Sequence, residues 1–142
     1  MRKFLVFMQI KKLSIFVFLI ICLVACEEGK DGLEGKWQLR EMQYDDRVSK
    51  VDTVYYNFQF GVFKLQAVNH IPVSLNEMIG SYSIVEDTIK MDIEPSFVSN
   101  LTALKRYYDW DGPSEKFRIV KQSASSLHLL REDEVLFIFR KF

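Results

Sequence analysis

Val51-Asp52-Thr53-Val54-Tyr55-Tyr56-Asn57-Phe58-Gln59-Phe60, then Gly61, then Val62-Phe63-Lys64-Leu65-Gln66-Ala67, is the stretch that decides the fold. Val54, Tyr56, Phe58 and Phe60 fall on one side of an extended chain, and Thr53, Asn57 and Gln59 on the other. After the glycine, Phe63, Leu65 and Ala67 alternate with Lys64 and Gln66. A period of two in β-branched and aromatic residues, broken by one glycine, reads as two half-buried strands joined in a hairpin.

The pattern continues outward in both directions. On the N-terminal side, Trp37 and Leu39 alternate with Lys36 and Gln38, and Asp45-Asp46 marks a turn. On the C-terminal side, the segment from His70 to Glu77, with Pro72 and Asn76, reads as a loop. Tyr82 and Ile84 alternate with serines, Glu86-Asp87 turns the chain, and Ile89, Met91 and Ile93 form the next arm. Further strands are expected around Phe117 and Ile119, around Leu127 and Leu129, and over Val135 to Arg140, where the chain is apolar on both faces. A strand of that last kind is covered on both sides or meets another surface.

One stretch has a different period. Phe97, Leu101, Leu104 and Tyr108 are spaced as one face of a helix, with Pro95-Ser96 as its start and Asp111-Gly112-Pro113 as its end. About eight short strands with turns at regular intervals, and this one helix, predict an all-β domain over residues 35–142, a sandwich or a barrel, and sequential hairpins favour an up-and-down antiparallel meander. The helical face must bury itself, since a helix this short is marginal in water. The expectation is that it covers one barrel mouth, with Tyr107 and Trp110 near the rim.

The N-terminus carries a separate message. Leu13 to Val24 is an apolar run of about a dozen residues, preceded by Lys11 and Lys12 and followed by Ala25-Cys26. The run has the length of a secretory h-region and is short for spanning ~30 Å of hydrocarbon. Leu23-Val24-Ala25-Cys26 resembles the lipobox of bacterial lipoproteins. The resemblance implies a signal peptide over residues 1–25, removed after a diacylglyceryl group joins Cys26, and a lipid-anchored chain in the cell envelope. Glu27 to Glu34 then serves as a polar tether with two glycines. Acids directly after the cysteine are similar to export signals of some Gram-negative lipoproteins, a resemblance that implies an anchor in the outer membrane, on its periplasmic or surface face.

Charge and cysteine content bound the function. Four of the 19 basic residues precede Cys26 and none of the 19 acidic ones does, so the remainder carries a net charge of about −4. Such a surface does not suit nucleic acid, which needs a basic face. Cys22 would leave with the signal peptide and Cys26 would carry lipid, so no thiol remains for a disulfide, a metal or a nucleophile. His70 and His128 have no convergent partner, and Asp109-Trp110-Asp111-Gly112 with Glu115 is too short a pattern for a calcium loop. No cofactor, metal or catalytic residue is expected, and the chain does not read as an enzyme.

Gly35-Lys36-Trp37 at the domain start and Arg140 near its end resemble the lipocalin signature, in small lipocalin-like lipoproteins of Gram-negative bacteria. The resemblance implies an eight-stranded barrel closed at one end by Trp37, with Arg140 packed across the indole as a cation–π pair. It also implies binding of a small apolar or amphipathic ligand. Tyr56, Phe58, Phe63, Tyr82, Tyr107, Trp110 and Phe117 are the candidate contacts, and Ala67 and Gly80 leave some room. The chain lacks the family's Thr-Asp-Tyr motif and disulfides. The alternative is a protein-binding accessory or inhibitor module of an envelope complex, because the inward residues are bulky enough to fill so small a barrel.

Overall fold

The computed structural model describes residues 31–142; the expected signal segment, Cys26 and the first half of the expected tether lie outside them. Gly32–Phe142 form one compact unit. Its strands are β1 (Gly35–Gln43), β2 (Val48–Lys50), β3 (Val54–Gln59), β4 (Val62–His70), β5 (Val73–Val85), β6 (Thr88–Ile93), β7 (Ser114–Gln122), β8 (Ser126–Arg131) and β9 (Leu136–Lys141). Neighbours in sequence pair antiparallel from β3 through to β9, and β9 returns to pair with β1. The first half of β1 pairs with β3 on its other edge, and its second half with the short β2. Eight strands therefore close a ring, and β2 is a single short strand added beside β1 outside it. This is the closed eight-stranded antiparallel barrel that the resemblance implies, built from the strands that the alternating runs predict.

Alternation sets which side chains fill it. Tyr56 and Phe58 on β3, Phe63 and Leu65 on β4, Ile89 and Met91 on β6, Phe117 on β7, Leu127 and Leu129 on β8, and Phe137 and Phe139 on β9 are all essentially inaccessible. A bulge between Leu39 and Glu41 shifts the phase of β1, so Trp37, Leu39 and then Met42 face inward. Gly80 is inward because Phe63, its partner across the β4–β5 pair, lies over it. A Cβ there would overlap the Asp92 carbonyl oxygen and sit 2.6 Å from the Phe63 ring. Gly80 thus leaves no room for a ligand; the room is taken by an aromatic ring.

The barrel has two ends. At the lower end lie the start of β1, the Phe60-Gly61 turn, the Glu86-Asp87 turn and the loop between β7 and β8. At the upper end lie the β1–β2 and β2–β3 connections, the β4–β5 turn, residues 94–113 and the β8–β9 turn. Two expectations are corrected here. His70 to Glu77 is not a loop: β4 and β5 continue as a paired hairpin to His70↔Val73, turning at Ile71-Pro72. The segment 95–108 is not a uniform α-helix but passes from 3₁₀ turns (Pro95–Asn100) through one α-turn (Leu101–Ala103) to a π-turn (Leu104–Tyr108). Its changing pitch rotates the apolar face, so Ala103, Leu104 and Tyr108 are buried while Leu101 is 43% exposed.

Candidate functional site

The upper mouth is where the chain departs most from a plain barrel. Asp109 ends the helical segment in the left-handed conformation (φ 58°), and this reversal sends Trp110 down into the barrel. Trp110 is fully buried, not at the rim. Its ring lies 6.4 Å from Tyr56, 6.0 Å from Phe63 and 6.3 Å from Phe117. Its indole Nε1 donates to the Tyr56 hydroxyl at 3.0 Å, satisfying the one polar atom it carries inward. Burial pushes the Tyr56 hydroxyl pKa well up, against the lowering effect of the Trp110 hydrogen bond, so it stays protonated.

Tyr108 enters beside it. Its hydroxyl donates to the Asn76 carbonyl and to Asn76 Oδ1, each at 3.1 Å, across the strand pair where Asn76 faces Ala67. The space that a small residue at 67 offers is thereby filled by a tyrosine from the helical segment. Tyr107 stays half-buried at the rim, where its hydroxyl accepts from Asn69 Nδ2 at 3.1 Å.

A charged cluster locks this arrangement from above. Arg131, at the end of β8, holds Asp133 with Nε and Nη2, both at 2.8 Å. Its Nη2 reaches Asp109 Oδ2 at 3.0 Å, and Nη1 donates to the Asp109 carbonyl. Tyr44, from the β1–β2 connection, donates to the same Asp109 carboxylate at 2.9 Å, and Lys105 pairs with it at 2.8 Å. Burial alone would raise the Asp109 pKa; the bonds from Lys105, Tyr44 and Arg131 outweigh it and hold the carboxyl below its ordinary range. Asp133 is lowered chiefly by its hydrogen bond with Arg131. Glu115 is shifted the other way, raised by burial although the Arg131 charge opposes it. None of these residues except Asp109 and Glu115 was singled out by the sequence, and those two only for a calcium pattern. Asp109 is committed to side-chain donors, and no group of three or more metal-ligating side chains converges among the described residues. His70 is exposed at the β4–β5 turn, and His128 is half-buried on the outer wall, its pKa lowered by burial and by Lys121.

The lower end closes differently from expectation. Trp37 is buried and donates from Nε1 to the Leu33 carbonyl at 2.7 Å. The cation over its ring is Lys141, with Nζ 4.4 Å from the centroid, and not Arg140. The register explains this: Trp37 pairs with Lys141, whereas Arg140 pairs with Gln38 on the outer face and donates to Gln38 Oε1 at 2.9 Å. Of the seven candidate contacts, Tyr56, Phe58, Phe63, Trp110 and Phe117 meet in one buried aromatic cluster. Tyr82, half-buried toward the lower mouth, joins its edge with its ring 5.3 Å from Phe58. Tyr107 stands apart at the upper rim. Two open clefts reach the edge of this aromatic cluster from the surface: a groove of about 270 Å³ between Thr88, Arg118, Leu130 and Glu134 that touches Phe117, and one of about 400 Å³ by Glu34 and Gln59 that touches Phe58.

This architecture has close counterparts. A crystal structure of a lipocalin-like protein from Bacteroides uniformis ATCC 8492 superposes with a TM-score of 0.71 at 38% identity, covering 78% of this chain and 99% of that one. An uncharacterized protein from Bacteroides eggerthii DSM 20697 superposes with the same TM-score at 29% identity and the same coverage. No protein of curated function shows significant similarity to the chain. The profile of the lipocalin-like domain matches residues 21–142, which takes in every strand of the ring. By profile and by fold, the chain belongs to the lipocalin-like domain family.

Proposed function

We propose that this chain is an envelope lipoprotein, held in the outer membrane by lipid on Cys26, whose barrel is a filled scaffold that docks onto another envelope protein. It performs no catalysis. The observation that carries the reading is Trp110: the side chain that a ligand would have to displace is fully buried, hydrogen-bonded to Tyr56 and surrounded by Phe63 and Phe117. The family's barrel is typical of small-ligand binding, but an eight-stranded barrel holds either its own side chains or one small ligand, and here rings occupy the centre.

The docking surface is the upper part of the β4–β5 hairpin. Ile71 is 96% exposed, Val73 88% and Leu75 57%. β6 pairs with β5 only from Gly80 onward, so Val73 to Met78 have β4 on one edge and no strand on the other. An apolar strand with an open edge is suited to strand addition, where main-chain bonds give affinity and side-chain pockets give specificity.

Two arms test this. A panel of fatty acids and other small amphiphiles should leave the melting temperature and Trp110 emission unchanged. A ligand present at a hundred times its Kd would add about 2.7 kcal/mol to stability, so a clear rise in melting temperature would favour the small-ligand reading, entered by the lower mouth at half-buried Tyr82, Ile84 and Ile119. A photo-crosslinker at Leu75 in intact envelopes should give one defined protein adduct that Val73→Asp removes. No adduct, or one indifferent to Val73, would sink the docking reading.

A further inference from the structure

Phe60 stands out at the lower end. It sits at the first position of the β3–β4 turn with φ 48°, followed by Gly61 at φ 77°. Both central residues of such a hairpin turn need φ > 0, which is why asparagine, aspartate and glycine dominate there. A phenylalanine in this conformation is strained. Its ring does not repay the strain by packing, because the residue is 80% exposed. Strain kept for the sake of an exposed aromatic indicates that something outside the barrel meets the ring.

The other exposed apolar residues of this end include Val62 beside the turn, Val85 at 71% before the next turn, Val120 and Phe142. Phe142 lies on the outer wall with its ring edge-on to Tyr55 at 5.1 Å. Lys36 Nζ sits 4.4 Å from the half-buried Tyr55 ring and 4.8 Å from the exposed Phe142 ring. Aromatic rings interleaved with lysines suit the water–lipid boundary, where the ring meets acyl chains and the ammonium stays among headgroups.

The route of the chain selects the occupant. β1 begins at this end, and Cys26 precedes Gly32 by six residues, a contour of at most roughly 20 Å. We infer that the lower rim, with Phe60 as its inserted ring, rests on the bilayer that holds the Cys26 lipid. The inference depends on lipidation of Cys26. Contact at the rim orients the barrel, leaving the β4–β5 hairpin at the opposite end pointing away from the membrane toward its partner. The charges here are mixed, with Lys36, Lys121 and Lys141 against Glu34, Glu86 and Asp87, so the contact is apolar and does not require anionic lipid.

Tryptophan quenching on the mature lipidated protein tests this. Trp37 and Trp110 are fully buried and do not meet lipid, so a tryptophan placed on the surface reports alone. In vesicles of brominated phosphatidylcholine, the added emission of Phe60→Trp should fall at least twofold relative to vesicles without bromine, and that of Ile71→Trp should not change. Mass spectrometry of the same preparation reads the acyl chains on Cys26. Acylated protein with no quenching at position 60, or with equal quenching at 60 and 71, overturns the orientation and leaves the anchor standing. Absence of acyl mass on Cys26 overturns the anchor, and the orientation with it.

Discussion

Lys141 and Phe60 are the two residues whose roles turn on backbone geometry more than on composition. Arg140 and Lys141 are adjacent cations at the end of β9, and only the register decides which faces Trp37. The β1–β9 pairing sets Lys141 opposite the indole and turns Arg140 outward to Gln38. Trp37→Ala should therefore cost about 3–5 kcal/mol, as for a fully buried aromatic. A double-mutant cycle of Trp37→Ala with Lys141→Ala should show a coupling of about 0.5–1 kcal/mol. The same cycle with Arg140→Ala should be additive within error; if the couplings come out reversed, the register at the lower end is wrong. At Phe60, asparagine tolerates the left-handed conformation better, so Phe60→Asn should raise stability by about 0.5–1 kcal/mol, read from urea denaturation of the protein in detergent. A loss of stability there would mean that the ring packs on the barrel after all.

Among the elements, the helical segment and the β4–β5 hairpin were the hardest to read from the chain, for different reasons. The strands that line the barrel announce themselves because one face is buried and the other wet. Val73 to Glu77 carry no such alternation, since this part of the hairpin projects past its neighbours and nearly every side chain is exposed. The helical face at Phe97, Leu101, Leu104 and Tyr108 was legible as a cap for a mouth, but not the change of pitch that exposes Leu101. Nor does anything in the local sequence say that Trp110 turns inward: that follows from the left-handed Asp109 and from Arg131, which lies 22 residues further on. The Arg131 cluster makes this element sensitive to acid. Asp109 and Asp133 have folded-state pKa values below the ordinary carboxylate value of about 3.9. Their contribution to stability is complete above that value and is lost as pH falls through the lowered folded values. Glu115, raised in the fold, works in the opposite sense: its burial costs stability once it ionises above its ordinary pKa, and acid relieves that cost. Two depressed groups against one raised group predict a melting temperature that falls on acidification below about pH 4. Asp109→Asn keeps a residue that accepts the left-handed conformation and removes the charge, so it should cost about 1–3 kcal/mol at neutral pH and flatten the acid limb. An acid limb as steep in the variant as in the parent would place the titrating group elsewhere.

At the scale of the whole molecule, the chain has two parts that answer different questions, and they were legible to different degrees. The strands could be read from periodicity alone, because each has one wet and one dry face; that they close into a barrel and not a sandwich rests on the resemblance carried by Gly35-Lys36-Trp37 and Arg140. Whether the interior is hollow could not be read the same way. Bulky inward residues fill a barrel only if they interdigitate, and here that depends on two side chains delivered from outside the strands, Tyr108 and Trp110. Location, on the function proposed above, is written in a third manner, as a linear signal at Leu23-Val24-Ala25-Cys26 that needs no fold at all. That independence makes a clean prediction. Cys26→Ser should abolish incorporation of labelled fatty acid and move the protein from the membrane pellet to the soluble fraction. The domain should nevertheless melt at the temperature of the parent in detergent, because the ring of strands that closes the barrel begins only at Gly35. One acyl chain gives only reversible binding and a second or third makes it stable, so the lower rim by itself should not retain the serine variant. Retention of Cys26→Ser in the pellet after an alkaline wash would mean that something other than lipid on this cysteine holds the chain in the envelope, and that the apolar run before it stays in place as the anchor.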